Sequence, residues 1–174
     1  TNANVAFAVN DLPANYAGAS VAYGTGATVT GTNAVGLGKS ATVTGANAVG
    51  LGSSASVTGA NAVGLGSSAS VTGLNAVGLG KDAKANKNNV VVIGTGANVD
   101  SNDSIAIGNG AYSTSSPASL STASVAVGLK ASAVGNTTIA IGTNAKVKNS
   151  KQGIAIGGGA ADNDGAIVEG DQGI

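Results

Sequence analysis

Glycine recurs every 14 residues through most of this chain, and this period limits the possible folds more than any other feature. Residues 47–60 are followed directly by a near copy, residues 61–74. A fixed period of this kind is typical of solenoids, in which each repeat packs mainly against its neighbours. The glycines of the register, whose last steps are 20, 14 and 15, are Gly24, Gly38, Gly52, Gly66, Gly80, Gly94, Gly108, Gly128, Gly142 and Gly157.

Each repeat contains two short stretches in which apolar residues alternate with other residues. In one repeat they are Val49-Gly50-Leu51 and Ala55-Ser56-Val57. Alternation of period two, rich in β-branched residues, predicts two short strands with one buried face each. We expect Val49, Leu51 and their equivalents to point into the core. The residues between them should then form an outward ladder: Gly36, Gly50, Gly64, Gly78, Val92, Ala106, Ala126, Ala140 and Ala155.

Small residues also mark the corners of the repeat. An Ala stands three residues after the register glycine, from Ala27 through to Ala160. A second glycine often closes the second strand, where a tight turn would require positive φ. These closing glycines are Gly31, Gly45, Gly59 and Gly73.

Two short strands per repeat, joined by tight corners, predict an all-β fold, namely a parallel β-roll with two strands per coil. Stacking equivalent residues about 4.8 Å apart lets each coil bury the surface that its neighbour exposes. With a degraded first copy at residues 5–8, we expect about eleven coils of 14 residues. Because the outward ladder is uncharged, it should pack against other copies of the chain.

The composition excludes several classes of function. The formal net charge is zero and every basic residue is Lys, whereas nucleic-acid binding normally uses a basic field with Arg. No apolar run is long enough to cross a membrane. His and Cys are absent, which removes the usual catalytic base, thiol nucleophile and soft metal ligands. We therefore expect no enzyme, no cofactor, no metal site and no nucleic-acid partner.

Hydroxyl side chains repeat on the second strand of four consecutive coils. Because they alternate with buried positions, we expect them to point outward. Such a face could be merely solvated, could contact an adhesive ligand, or could bind ice. The residues are Thr28, Thr42, Ser56 and Ser70 in one file and Thr30, Thr44, Thr58 and Thr72 in the next.

Two interruptions of the period lie at residues 10–19 and 110–123. Extra residues in a solenoid must leave the coil, and protruding loops that carry Tyr are plausible ligand contacts. Tyr16 and Tyr112 are therefore candidate ligand-binding residues. The same segments could equally cover an edge of the roll.

Three runs of the sequence resemble a known repeat: Ser104-Ile105-Ala106-Ile107-Gly108, Ser124-Val125-Ala126-Val127-Gly128 and Thr138-Ile139-Ala140-Ile141-Gly142. They are similar to the Asn-Ser-Val-Ala-Ile-Gly motif of YadA-like head domains, which belong to trimeric autotransporter adhesins of Gram-negative bacteria. The resemblance extends from about Val5 to Ile156. It implies a left-handed roll that trimerises and is carried on a coiled-coil stalk with a membrane-anchored barrel.

The family also implies a function and a set of binding residues. Its heads bind extracellular-matrix proteins, notably collagen, or mediate cell attachment and autoagglutination, which are virulence traits. In collagen-binding members the motif residues matter for binding. The matching positions here include Asn33, Val35, Asn47, Val49, Asn61, Val63, Ser104, Ile105, Ile107, Ser124, Val125, Val127, Ile139 and Ile141.

The chain departs from the family pattern in its central copies, which read Asn-Ala-Val-Gly-Leu-Gly and weaken the case for collagen specifically. It shows no neck and no heptad stalk, so we expect residues 1–160 to form the head. Residues 161–174 would be a fading coil or the start of the connection to a stalk.

The resulting hypothesis is a non-catalytic head domain of an exported adhesin on the bacterial cell surface. It would be a homotrimer, reaching the outer membrane only through a C-terminal anchor outside this sequence. Its partners would be collagen, fibronectin or laminin of the host, or a cell or abiotic surface. The alternative is an ice-binding or purely structural spacer solenoid.

Overall fold

A computed structural model describes residues 20–115, 123–161 and 164–171. This part of the chain forms twenty short strands in two ten-stranded parallel sheets, between which the chain alternates. In the described residues no helix is long and apolar enough to cross a membrane. Because the chain alternates between the two sheets, successive strands of one sheet are separated in sequence by a strand of the other, as in a flattened coil.

Sheet one is made of the odd-numbered strands, which carry the aliphatic pairs. They are β1 (Val21–Tyr23), β3 (Val35–Leu37), β5 (Val49–Leu51), β7 (Val63–Leu65), β9 (Val77–Leu79), β11 (Val91–Ile93), β13 (Ile105–Ile107), β15 (Val125–Val127), β17 (Ile139–Ile141) and β19 (Ile154–Ile156).

Sheet two is made of the even-numbered strands, which carry the hydroxyl residues in the N-terminal half. They are β2 (Thr28–Val29), β4 (Thr42–Val43), β6 (Ser56–Val57), β8 (Ser70–Val71), β10 (Lys84–Ala85), β12 (Asn98–Val99), β14 (Tyr112–Thr114), β16 (Ser132–Gly135), β18 (Lys146–Ser150) and β20 (Ile167–Glu169).

Equivalent residues of successive coils pair directly, which confirms the predicted parallel roll with two strands per coil. Val49 pairs with Val63 and Gly50 with Gly64. The described residues contain ten such coils, slightly fewer than the eleven expected from the sequence. The proposed first copy at residues 5–8 lies outside the described residues.

The prediction of which side chains face inward on sheet one is wrong. Gly50 and its equivalents are buried, whereas Val49 and Leu51 lie on the outer surface of the sheet and are only half-buried. The buried residues of one coil are just Ala48, Gly50, Ala55, Val57 and Gly59. A coil of 14 residues encloses too little space for two layers of branched side chains, so the small residues turn inward.

In the narrow core, a small residue on one sheet is matched by a larger residue on the other. A Cβ atom on Gly64 would stand 2.5 Å from Cγ2 of Val57, so glycine in sheet one leaves room for valine in sheet two. The pattern reverses farther along, where Val92 stands in the glycine position and Ala85 replaces the valine; both are fully buried. Packing at near-crystalline density explains why the two changes occur together.

The corners hold non-glycine residues in the left-handed region. Ser54 and Asn61, at the two corners of one coil, have φ of 57° and 54°. Short polar residues tolerate this conformation better than other side chains do. The closing glycines differ from expectation, because the φ of Gly45 and its equivalents lies outside that region. A Cβ on Gly45 would instead stand 2.0 Å from the carbonyl oxygen of Gly59, so close approach of the backbones requires glycine there.

Two excursions interrupt the coil without breaking the sheets. Ile105 pairs with Val125 across the first excursion. At the second, the sequence predicts that Ala160 occupies the corner position, and this is wrong. The amide of Lys146, which follows Ala145, donates to the carbonyl oxygen of Ala166 at 2.8 Å. Ala166 therefore takes the corner position, and β20 continues sheet two after it. The described residues 158–161 and 164–165 lie outside the coil, and the spacing of Ala160 from Gly157 is coincidental.

Buried hydroxyl groups divide the apolar core into two clusters. One cluster runs from Ala34 to Ala111 and the other from Ala126 to Val168. Between and beside the two clusters lie serine side chains that are almost fully buried. Some of their hydroxyls hydrogen-bond to each other, and others have no partner in the described part of the chain. We call this set the hydroxyl belt: Ser101, Ser104, Ser113, Ser115 and Ser124.

Candidate interaction surfaces

The outer surface of sheet one is a continuous aliphatic strip, formed by two parallel files of side chains. Nine strands at about 4.8 Å spacing make the strip roughly 40 Å long. Its members are half-buried by their neighbours or exposed, with Leu37 at 37% and Ile156 at 67% of full exposure. Monomeric soluble proteins rarely present so large a contiguous apolar surface. Between β3 and β19 the strip consists of Val35, Leu37, Val49, Leu51, Val63, Leu65, Val77, Leu79, Val91, Ile93, Ile105, Ile107, Val125, Val127, Ile139, Ile141, Ile154 and Ile156.

An asparagine ladder runs along the corners that lead into the aliphatic strip. Each Asn donates from Nδ2 to Oδ1 of the equivalent residue in the next coil, at 3.3 Å from Asn47 to Asn61 and 3.2 Å from Asn61 to Asn75. The last step, from Asn89 to Asp103, is 2.8 Å. Because an ionised carboxylate has no donor to pass on, Asp103 ends the ladder. The full series is Asn33, Asn47, Asn61, Asn75, Asn89 and Asp103.

The N-terminal half of sheet two presents an uncharged hydroxyl surface, as predicted. Thr44, Thr58 and Thr72 are exposed, and the residues between them and the preceding file are buried valines. In the described part of the chain the hydroxyls of Thr44 and Thr58 have no hydrogen-bond partner, whereas Thr72 donates to Oδ1 of Asn86 at 3.3 Å. Stacked backbones with the same conformation restrict the Thr rotamers in the same way.

Farther along sheet two the surface changes from hydroxyls to a polar cluster around Tyr112. Tyr112 donates from its hydroxyl to Oδ2 of Asp100 at 3.1 Å, and Nδ2 of Asn98 donates to the same oxygen at 3.1 Å. Partial burial, followed by the negative charge of Asp100, raises the pKa of Tyr112 above its ordinary value. The phenol therefore stays protonated and keeps donating at neutral pH. We call Asn98, Asp100 and Tyr112 the tyrosine cluster.

Two exposed ion pairs join β20 and Asp171, two residues after it, to the preceding coil. Lys148 contacts Glu169 at 2.6 Å between Nζ and Oε1, and Lys151 contacts Asp171 at 3.0 Å. The hydrogen bond from Lys148, more than its charge, lowers the pKa of Glu169. Among the described residues no three of His, Cys, Asp and Glu are grouped so as to hold a metal ion.

The structure separates the candidate ligand-binding residues into distinct places. Val35, Val49, Val63, Ile105, Ile107, Val125 and Val127 share the aliphatic strip, and Asn33, Asn47 and Asn61 lie in the ladder beside it. Ser104 and Ser124 are fully buried in the hydroxyl belt. Tyr112 is on the opposite sheet, and Tyr16 lies outside the described residues. The ladder and the Asp100 partner of Tyr112 were missed, although Asn at a fixed step of 14 was a usable signal for the ladder.

A parallel solenoid with an apolar sheet on one side and a polar sheet on the other defines a repeat protein of the β-roll class. The family model described as the YadA head domain repeat (2 copies) matches residues 30–55, 72–97, 91–111 and 121–145. Together these segments span more than half of the 174 residues. The chain therefore belongs to the YadA head domain repeat family.

A solved structure is similar over most of the chain. It is the crystal structure of the collagen-binding domain of the Yersinia adhesin YadA, with a TM-score of 0.54 and 23% sequence identity. The match covers 88% of this chain and 78% of that one. At this identity the likeness shows the fold alone. A comparison with curated proteins gives no match.

Proposed function

We propose that this chain is the head of a homotrimeric adhesin on the bacterial cell surface. The observation that carries the proposal is the aliphatic strip, which runs along every coil from β3 to β19 and has no covering element in the described part of the chain. Three copies that pack their strips together would bury this surface along the whole rod. Sheet two of each copy would then face outward.

This arrangement changes the role of the motif residues. In a trimer packed on sheet one, Val35, Val49 and Val63 would contact other copies instead of a ligand. Their substitution would weaken adhesion by dissociating the trimer. Ligand contact would fall to the outward sheets, where three equivalent surfaces raise the effective concentration of weak sites.

The similarity to a collagen-binding domain supports matrix proteins as the first ligands to test. We propose attachment to collagen, fibronectin or laminin, to cells or to abiotic surfaces, together with autoagglutination. We also propose that the adhesin is anchored in the outer membrane.

The direct test measures assembly and adhesion on the same preparation. Light scattering should give three times the chain mass of 16.1 kDa. The trimer should bind at least one of immobilised collagen, fibronectin, laminin or uncoated plastic above an albumin control. A monomer of 16.1 kDa would reject the assembly, and a trimer that binds none of these surfaces or cells would reject the adhesive role.

The hydroxyl surface of sheet two favours a second candidate function, ice binding. Thr44 and Thr58 leave their hydroxyls unpartnered, and their repeated spacing gives a regular array that could order water. The matched variants are Thr58→Lys, within the array, and Ser53→Lys, at a corner position that Lys39 and Lys81 occupy in other coils. Ice binding predicts thermal hysteresis that T58K removes and S53K retains. Absence of hysteresis in the unmodified chain eliminates this candidate.

A further inference from the structure

We propose that the tyrosine cluster is a binding subsite for a neutral saccharide. This inference rests on the proposed adhesive function and names a ligand class for its outward surface. It depends on three side chains held by two adjacent strands of sheet two, β12 and β14, and on the hydrogen-bonding groups that they leave open.

The cluster is held rigidly by the sheet. Asn98 and Tyr112 are register partners, so their side chains lie next to each other on the outer surface. The amide of Tyr112 donates to Ala131 at 2.8 Å, and the amide of Asp100 donates to Ser113 at 2.9 Å. Sites on strands keep their geometry better than sites on loops, and here both Asp100 and Tyr112 are half-buried.

The open group of the cluster is an acceptor. Oδ2 of Asp100 already receives hydrogen bonds from Tyr112 and Asn98, whereas in the described part of the chain no group donates to Oδ1. Oδ1 of Asn98 has no partner there either, but it is shielded from water and therefore from a ligand, so the accessible acceptor of the cluster is Oδ1 of Asp100. A carboxylate oxygen accepts strong hydrogen bonds, so a ligand that donates to Oδ1 of Asp100 gains affinity. The ligand should therefore present hydrogen-bond donors.

The charges around the cluster favour a neutral donor. Asp100 disfavours acidic sugars, because its carboxylate repels another anion. Lys84 pairs in register with Asn98 on the same surface and disfavours a cationic peptide. Sugar hydroxyls supply neutral donors, and the C–H surface of a pyranose ring suits an aromatic face. Tyr112 is the only aromatic residue among the described strands of sheet two, and such rings combine apolar contact area with a polar end.

The test uses the full trimeric chain on an array of immobilised neutral and sialylated oligosaccharides. We expect binding to at least one neutral glycan, competed by the same sugar in solution. Asp100→Asn and Tyr112→Leu should abolish binding, and Tyr112→Phe should weaken it because Asp100 loses an orienting bond. Thr42→Ala, in the same file of sheet two as Asn98 but four coils away, should bind normally. Circular dichroism and melting should match the unmodified chain, and Y112F provides a milder variant if D100N fails to fold.

Three outcomes would overturn the proposal: binding of sialylated glycans only, full binding by both D100N and Y112L, or no glycan bound. Matrix proteins coated before and after enzymatic deglycosylation separate this inference from the adhesive function. Equal adhesion to both forms, with no glycan bound, rejects the saccharide subsite and leaves the adhesin intact. Failure to bind matrix proteins, cells, plastic and glycans would reject both.

Discussion

A side chain on Gly50 would collide with Val43, because a Cβ atom there would stand 2.6 Å from Cγ2 of that valine. The two residues belong to different sheets and meet across the core. A larger residue at Gly50 would collide with Val43, and a smaller residue at Val43 would leave a cavity. The pair therefore shows how tightly the roll is packed. The same relationship recurs between Gly36 and Val29 and between Gly64 and Val57.

The first prediction is a coupling between these two positions. Gly50→Ala should destabilise the chain by about 1–3 kcal/mol through overpacking. Val43→Ala should cost a similar amount, roughly 1–3 kcal/mol, through the cavity that it leaves. The double variant should lose less than the sum of the two, as a double-mutant cycle by urea denaturation at fixed protein concentration will show. Simple additivity would mean that the two side chains do not meet.

The second prediction concerns the aliphatic strip. Leu65→Glu places one carboxylate per copy at the proposed contact between copies, where charges would be desolvated without partners. We expect the trimer to dissociate at micromolar concentration, as measured by light scattering. Thr58→Glu adds the same charge on sheet two and should leave the trimer intact. If L65E remains trimeric and T58E dissociates, the contact between copies is on the opposite sheet.

The third prediction separates conformation from hydrogen bonding in the asparagine ladder. Asn61→Ala removes two ladder bonds and places Ala at a φ of 54°, which costs about 1–2 kcal/mol for an ordinary residue. Asn61→Gly removes the same bonds without that strain. The melting temperature should therefore fall further for N61A than for N61G. Equal losses would show that the amide contacts, not the corner conformation, select Asn.

The fourth prediction uses the near identity of consecutive coils. Deleting residues 47–60 joins Ala46 to Asn61 and restores the same local sequence. Because each coil contacts mainly its neighbours, the shortened chain should still fold and trimerise with a somewhat lower melting temperature. Deleting only residues 47–53 removes half a coil, so that every strand beyond the junction would have to join the opposite sheet. That half-coil deletion should not fold, and a folded product would contradict the coil geometry.

The fifth prediction concerns pH and the last coil. The pKa of Glu169 is lowered by its hydrogen bond to Lys148 and by the charge of that lysine. The pair therefore contributes at neutral pH, and its contribution is lost as the pH falls through the lowered folded-state pKa. Lys148→Ala should return the pKa of Glu169 to its ordinary range in an NMR titration, and should make the backbone amides of β20 exchange faster. An unchanged titration would mean that the pair does not persist in solution.

The 14-residue period was sufficient to predict the coil, its two strands and the stacking of equivalent residues. It was not sufficient to predict which surface of sheet one faces inward. Alternation shows that Val49 and Leu51 share a surface, but only the enclosed volume decides that Gly50 occupies the inside. Apolar character alone indicated the opposite, because most strands bury their larger side chains.

The polar features were less accessible to sequence reasoning for a related reason. The corner function of Asn61 and the contact of Tyr112 with Asp100 depend on residues in neighbouring coils, which only the register brings together. Ala160 shows the converse, since a matching local spacing after Gly157 occurs in a segment that leaves the coil. A periodic pattern therefore locates repeats better than it locates their interruptions.

The hydroxyl belt has a mechanical consequence for a molecule of this shape. Under tension along the rod, the backbone ladders share the load evenly, but the apolar core does not continue through the belt. We expect the rod to yield first between Ala111 and Ala126, so that two intact blocks separate before either unravels. A surface-attached rod would then absorb a sudden pull in one short extension and recover when the force is released.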